Sequence, residues 1–177
     1  TLLGYPNQGG INDGIGIPYR WATFTNENFE ITAGTFYEQF GNGLILRSYE
    51  EKQLGVDNAF DGVRVKISPY RGIQIKALAG YQRYYWEKGP GIVKGVDGDY
   101  LINEMIPSLV EKPWQISLGG SFVSKYQADD DPIYALPKNV GAGAGRMQFS
   151  LAGFNLMAEY AYKANDPSSD NGLIYRP

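Results

Sequence analysis

Histidine and cysteine are both missing from the 177 residues. Without His the commonest general base is gone, and with it the Ser-His-Asp arrangement; without Cys there is no thiolate nucleophile and no ordinary zinc or iron–sulfur site. Most enzyme classes are thereby set aside. No disulfide framework can form either, which leaves the redox compartment open. Long apolar runs are also absent. The longest uncharged stretches, such as Pro113 to Ser124 and Met147 to Ala158, are 12 residues, well short of the roughly 20 that a membrane-spanning helix requires. The formal charge is only -3, so no cationic field draws the chain to a nucleic-acid backbone. It starts at Thr1 rather than Met, and neither end resembles a signal sequence; an export signal is expected upstream.

What the chain does have is glycine (23), tyrosine (14 against 8 Phe) and alternation. Strand-and-turn structure favours such a composition. In RVKISPYRGIQIKALAGYQRYYW, residues 64 to 86, apolar Val65, Ile67, Ile73, Ile75, Ala77 and Ala79 alternate with Arg64, Lys66, Gln74 and Lys76. The same period of two recurs around Phe29 to Gly34, Leu44 to Arg47, Val63 to Ser68, Trp114 to Phe122, Arg146 to Leu151 and Phe154 to Lys163. Seven or more such strands predict one all-β domain over 1–177 with an antiparallel sheet, each strand having one wet and one apolar face. Residues 1–18 read as an irregular lead-in, PYRG (69–72) and the Gly153 junction as short links, and 87–113 and 127–139 as long loops.

Two signals bear on what covers the apolar face. The strands are long, about 14 residues from Ile73 to Trp86 and 11 from Gly153 to Lys163, whereas soluble strands mostly run about five or six and a tilted bilayer-crossing strand needs about nine to eleven. Aromatic residues also bracket the aliphatic stretches. Tyr70 lies at one end, Tyr81, Tyr84, Tyr85 and Trp86 at the other, and Tyr160 and Tyr162 close a later strand; this is the placement of interfacial girdles. The expected fold is therefore an up-and-down transmembrane β-barrel, partial, of about 8–10 strands, with short turns on one side and long loops on the other. Its wet bore would be lined by Arg47, Arg64, Lys66, Lys76, Arg146, Glu30 and Glu159, which would select ions or brace the wall by pairing. Ordinary cross-strand or core packing remains a second explanation of the rings.

Other features carry less. GNG (41–43) lacks the following helix and Lys-Ser/Thr of a phosphate loop and reads as a turn. Glu50, Glu51 and Asp57 do not define a glycosidase pair. Asp129, Asp130 and Asp131 lack the spacing of a calcium loop, and GVDGDY (95–100) reads as a tight turn. Tyr84, Tyr85 and Trp86 cannot all share one sugar-stacking face while in a strand.

The stretches FYEQFGNGLILRSYEEKQLGVDNAFDGVRVK (36–66), VKGVDGDYLIN (93–103) and EYAYKANDPSSDNGLIYRP (159–177) resemble an uncharacterised outer-membrane β-barrel family of Bacteroidetes-type bacteria, known mainly as a domain of unknown function. The likeness spans 19 to 177 and is most specific around Tyr37 to Tyr49 and Glu159 to Asn171. It implies an outer-membrane location in a Gram-negative bacterium and an internal portion of a longer barrel, and it brings no catalytic, metal or cofactor residues. The expected function is a passive conduit or a structural scaffold in an envelope complex, not an enzyme, with membrane lipid and other envelope proteins as partners and no nucleic acid. The alternative is a secreted β-sandwich that binds glycans through exposed Tyr and Trp.

Overall fold

A computed structural model describes residues 17, 19–84, 87–128, 136–164 and 166. The fold is all-β and antiparallel. Strands β1 (Trp21–Asn26), β2 (Phe29–Phe36), β5 (Phe60–Tyr70), β6 (Ile73–Tyr84), β7 (Glu87–Leu101), β8 (Trp114–Tyr126), β9 (Asn139–Leu151) and β10 (Phe154–Lys163) form one eight-stranded sheet. A two-residue pair, β3 (Glu50–Glu51) and β4 (Val56–Asp57), sits in the β2–β5 connection. Each large strand hydrogen-bonds to its sequence neighbours in the sheet order β1-β2-β5-β6-β7-β8-β9-β10. Among the described residues β1 and β10 pair on one side only, and the sheet is not closed.

Register turns the alternation into two surfaces. One continuous row runs Phe24, Ile31, Val65, Ala77, Val96, Phe122, Gly143, Tyr162 across all eight strands. The row one residue away runs Thr25, Glu30, Lys66, Lys76, Asp97, Ser121, Ala144, Ala161. Because neighbouring residues in a strand point to opposite faces, the first row and its parallels make an apolar face and the second a polar one. The apolar face is the open one. Val63, Val96, Leu118, Phe122 and Met147 are exposed, while Thr32, Asp97 and Ser121 of the other face are buried. That is the reverse of a soluble sheet, and the cause is the β2–β5 connection, which lies across the polar face.

Five sequence expectations are corrected here. The long loop expected over 87–113 is largely the 15-residue strand β7, with only 102–113 outside it as a short helix α1 (Ile102–Met105) and a single 3-10 turn (Pro107–Leu109). Its Gly and Asp residues read as turn formers, but Asp97 and Asp99 are paired to cations on the covered face, so the usual reason for their depletion in strands does not apply. GVDGDY is accordingly strand and not a turn. The alternation at Leu44 to Arg47 forms no sheet strand; a single bridge joins Gln39 to Arg47 inside the connection. The PYRG link shrinks to Arg71-Gly72, since β5 continues to Tyr70 past a register irregularity. Turn lengths do not sort cleanly by side, because the 12-residue 102–113 segment shares an end of the sheet with the tight turns.

The β9–β10 turn holds Ala152 at φ 45° followed by Gly153 at φ 87°, the positive pair of a type I′ hairpin. Ala is strained there by about 1–2 kcal/mol. Ala152→Gly is expected to raise the unfolding free energy by about 1 kcal/mol, read as a shift in denaturant midpoint at constant slope.

Candidate functional site

Residues 37–48 fold back on themselves before crossing the sheet. The Glu38 amide donates to Ser48 Oγ at 2.8 Å, the Ser48 amide to the Glu38 carbonyl at 2.9 Å and the Phe40 amide to the Leu46 carbonyl at 3.1 Å. At the tip, the Gly43 amide donates to the Phe40 carbonyl at 2.8 Å, with Gly41 and Gly43 at positive φ; GNG is thus the turn that its composition suggests. Phe40 is fully buried and packs with Phe36, Leu46, Phe60, Leu78, Val93 and Val123 in the apolar core of this face. A glycine underneath makes room for it. A Cβ on Gly95 would lie 2.6 Å from the Phe40 ring, so Gly95→Val is expected to evict Phe40 at a cost of about 1–3 kcal/mol. The check is limited trypsin digestion, in which cleavage after Arg47 and Lys52 should accelerate relative to the parent protein.

Beside this core is a chain of charges. Arg64 reaches Glu30 at 2.8 Å and Glu38 at 3.4 Å, and Lys66 reaches Glu30 at 3.5 Å. Lys76 lies 3.5 Å from Glu38 and 3.6 Å from Asp97. Arg146 contacts Asp97 at 2.8 Å and Asp99 at 2.5 Å, and donates to Ser121 Oγ at 2.7 Å, which in turn donates to Asp97 at 2.6 Å. Lys66 and Lys76 are direct cross-strand partners, a repulsive arrangement by itself, and the carboxylates of Glu30, Glu38 and Asp97 are what make it tolerable. Arg146 lies flat over Gly119, where a Cβ would be 2.3 Å from its Nε. The far end of the connection is tied to β10, because the Asn42 amide donates to Glu159 Oε2 at 2.9 Å. Residues 38 to 42 therefore bridge cations of β5 and β6 to an anion of β10, across the width of the covered face.

A second tether holds the other end of the connection. Tyr19 Oη donates to Asp57 Oδ2 at 2.7 Å and Tyr37 Oη to Asp57 Oδ1 at 2.9 Å, with the two hydroxyls 2.8 Å apart. Burial, with the Asp57 carboxylate as acceptor and negative neighbour, pushes Tyr19 up to about 12 from the ordinary 10.0. Burial and its bonds to Tyr19 and Asp57 push Tyr37 up further still. Unfolded tyrosines ionise near 10, so the folded state holds these protons more tightly; the resulting stability is full below pH 10 and is lost as pH rises from 10 through 12. A phenolate absorbance titration should show a late step near pH 12 that Tyr19→Phe removes, with alkaline unfolding of the parent setting in above pH 10.

Of the bore-lining candidates, Arg64, Lys66, Lys76, Arg146, Glu30 and Glu159 all meet on the covered face. Arg47 does not join them: it sits in the β2–β5 connection, exposed, with its guanidinium 4.7 Å from the Tyr49 ring centroid. Tyr70, Tyr81, Tyr160 and Tyr162 are exposed. Tyr81, Tyr160 and Tyr162 lie toward one end of the sheet, and Tyr70 with Tyr100 and Phe154 toward the other. The Tyr84 side chain, Tyr85, Trp86 and Asp129 to Asp131 fall outside the described residues. Sequence reasoning missed Glu38, Phe40, Asn42, Asp97, Asp99 and Ser121. The spacing of two between Asp97 and Asp99, out of phase with Val96, was the one available signal.

No curated protein matches this chain, and no solved structure does. A family model matches residues 1–177, and the chain belongs to that family, the family of unknown function DUF6029.

Proposed function

We propose that the chain is a segment of an outer-membrane β-barrel of a Bacteroidetes-type, Gram-negative bacterium, acting without catalysis as a passive conduit narrowed by residues 37–48 or as a scaffold within an envelope complex. The carrying observation is the inversion of faces: the apolar side of an eight-stranded antiparallel sheet is open, while Arg64, Lys66, Lys76 and Arg146 are paired to carboxylates on the side that the β2–β5 connection covers. In water the open face is a contiguous apolar patch that soluble monomers rarely display; in hydrocarbon it is the ordinary outside of a barrel. Dimensions agree. At 13 residues each, β8 and β9 run about 43 Å, which at a tilt of about 45° projects to about 30 Å, the hydrocarbon thickness of a bilayer.

A sandwich would cover Val96 and Phe122 with a second sheet, and among the described residues nothing does so. The deciding experiment is fractionation of the full-length protein followed by electrophoresis with and without boiling. Recovery in the outer-membrane fraction, dependence on detergent and a migration shift on heating are expected; a monodisperse protein in detergent-free buffer would end this reading. Conductance in planar bilayers then separates the two roles, since Gly95→Val should open a conduit but leave a scaffold silent.

A further inference from the structure

On the covered face, beyond the ion-pair chain, β8, β9 and β10 leave a groove of about 630 Å³ between the sheet, residues 44–45 of the β2–β5 connection and the described residues 127–128 and 136–138 that flank β8 and β9. Its floor is Val123, Ala142 and Ala161, and its walls include Leu44, Ile45 and Leu136. Ile45 also packs against the apolar core, so the groove continues that core as an unfilled slot. The volume falls in the range of about 300 to 1,000 Å³ typical of small-molecule sites.

The groove differs from the rest of this face in its charge. Elsewhere Arg64, Lys66, Lys76 and Arg146 each have a carboxylate within 4 Å. Here Lys125, Lys138 and Lys163 stand at the rim with one carboxylate among the described lining residues, Asp166, which is 2.8 Å from Lys163. Lys125 and Lys138 are exposed and, among the described residues, have no carboxylate partner. An apolar slot with two ammonium groups at its mouth that no described carboxylate pairs is complementary to a molecule with one apolar tail and one anionic head.

We propose that this groove binds a single-tailed carboxylate amphiphile of the long-chain fatty-acid type. The tail lies along Val123, Ala142 and Ala161 under Leu44 and Ile45, and the head is held by Lys125 and Lys138. Burial of the tail supplies affinity in proportion to apolar area. The charged head selects orientation, because an ammonium-to-carboxylate hydrogen bond is stronger than a neutral one. The site does not depend on what covers the outer face of the sheet, so its failure and the failure of the membrane reading are separate results.

The test uses the full-length protein, in nanodiscs if it requires lipid, with radiolabelled palmitate as probe. Saturable binding is expected. Lys125→Gln with Lys138→Gln should weaken it by about tenfold or more, and Ala142→Trp, which fills the slot, should abolish it. Ala161→Met, a smaller intrusion, carries the same expectation should the Trp variant not fold. Hexadecyl phosphate should compete, which would extend the head class to phosphates, whereas hexadecyltrimethylammonium should not. Binding unchanged by the slot-filling variants, equal competition by the cationic amphiphile, or displacement by a tail-less glutamate-rich peptide would each overturn the proposal.

Discussion

Replacing Arg146 with Met is expected to lower the unfolding free energy by about 3–5 kcal/mol, the usual cost of removing one partner from a buried pair. The Asp97 side chain has no solvent exposure, and Arg146 is its nearest cation at 2.8 Å, with Lys76 at 3.6 Å. Met fills part of the space over Gly119 but leaves Asp97 with Ser121 and a distant ammonium. Two carboxylates, Asp97 and Asp99, then face each other across the position that the guanidinium held. The penalty comes from the stranded charge rather than from loss of the pair, so Asp97→Asn added to Arg146→Met should recover much of it. A double-mutant cycle by denaturant titration measures this directly. A single Arg146→Met variant within about 0.5 kcal/mol of the parent would mean that the charge chain does not hold this face together.

Val96→Arg should cost about 2–4 kcal/mol when the protein is folded into lipid vesicles, the range for a cation placed near the bilayer midplane on the outside of a barrel. Val96 is well suited to the test. It sits in the middle of β7, in the row that also holds Val65, Ala77 and Phe122, and 45% of its surface is exposed. A residue this open in water would accept Arg within about 0.5 kcal/mol, so the two media give answers several-fold apart. Reversible unfolding from vesicles, compared with the parent, is the measurement. A negligible change would remove the hydrocarbon environment from this face, and with it the conduit.

The two predictions draw on different amounts of sequence information. Val96 is out of phase with the charged pair Asp97 and Asp99, which assigns it a face once β7 is recognised, although Val93 falls on the side of that pair and Lys94 on the side of Val96. Recognition was the difficulty. Gly89, Pro90, Gly91, Gly95 and Gly98 punctuate β7, and local rules read such a string as loop. Pairing with β6 and β8 over ten or more positions outweighs those local preferences. Arg146, Lys76 and Arg64 were legible as inward cations, yet Glu38, the partner of Lys76 and Arg64, was not, because it lies outside any alternating segment. The residues 38 to 42 reach the network through a fold-back of the β2–β5 connection that depends on hydrogen bonds to Ser48 and Leu46. Arg47 was misplaced for the same reason: Leu44 to Arg47 alternates like a strand, but both edges it could have joined are already taken, by β2 pairing to β5.

The sequence by itself determined that this is an antiparallel β protein with one apolar and one polar side to nearly every strand, because a period of two in side-chain chemistry is a property of the extended backbone and needs no partner to be read. It also excluded the chemistry that rests on His or Cys. Only the tertiary structure decided which side is covered, since register, the reach of residues 37–48 and the room that Gly95 and Gly119 leave for Phe40 and Arg146 are relations between segments far apart in the chain. Those relations put the charges inside and leave the aliphatic face open.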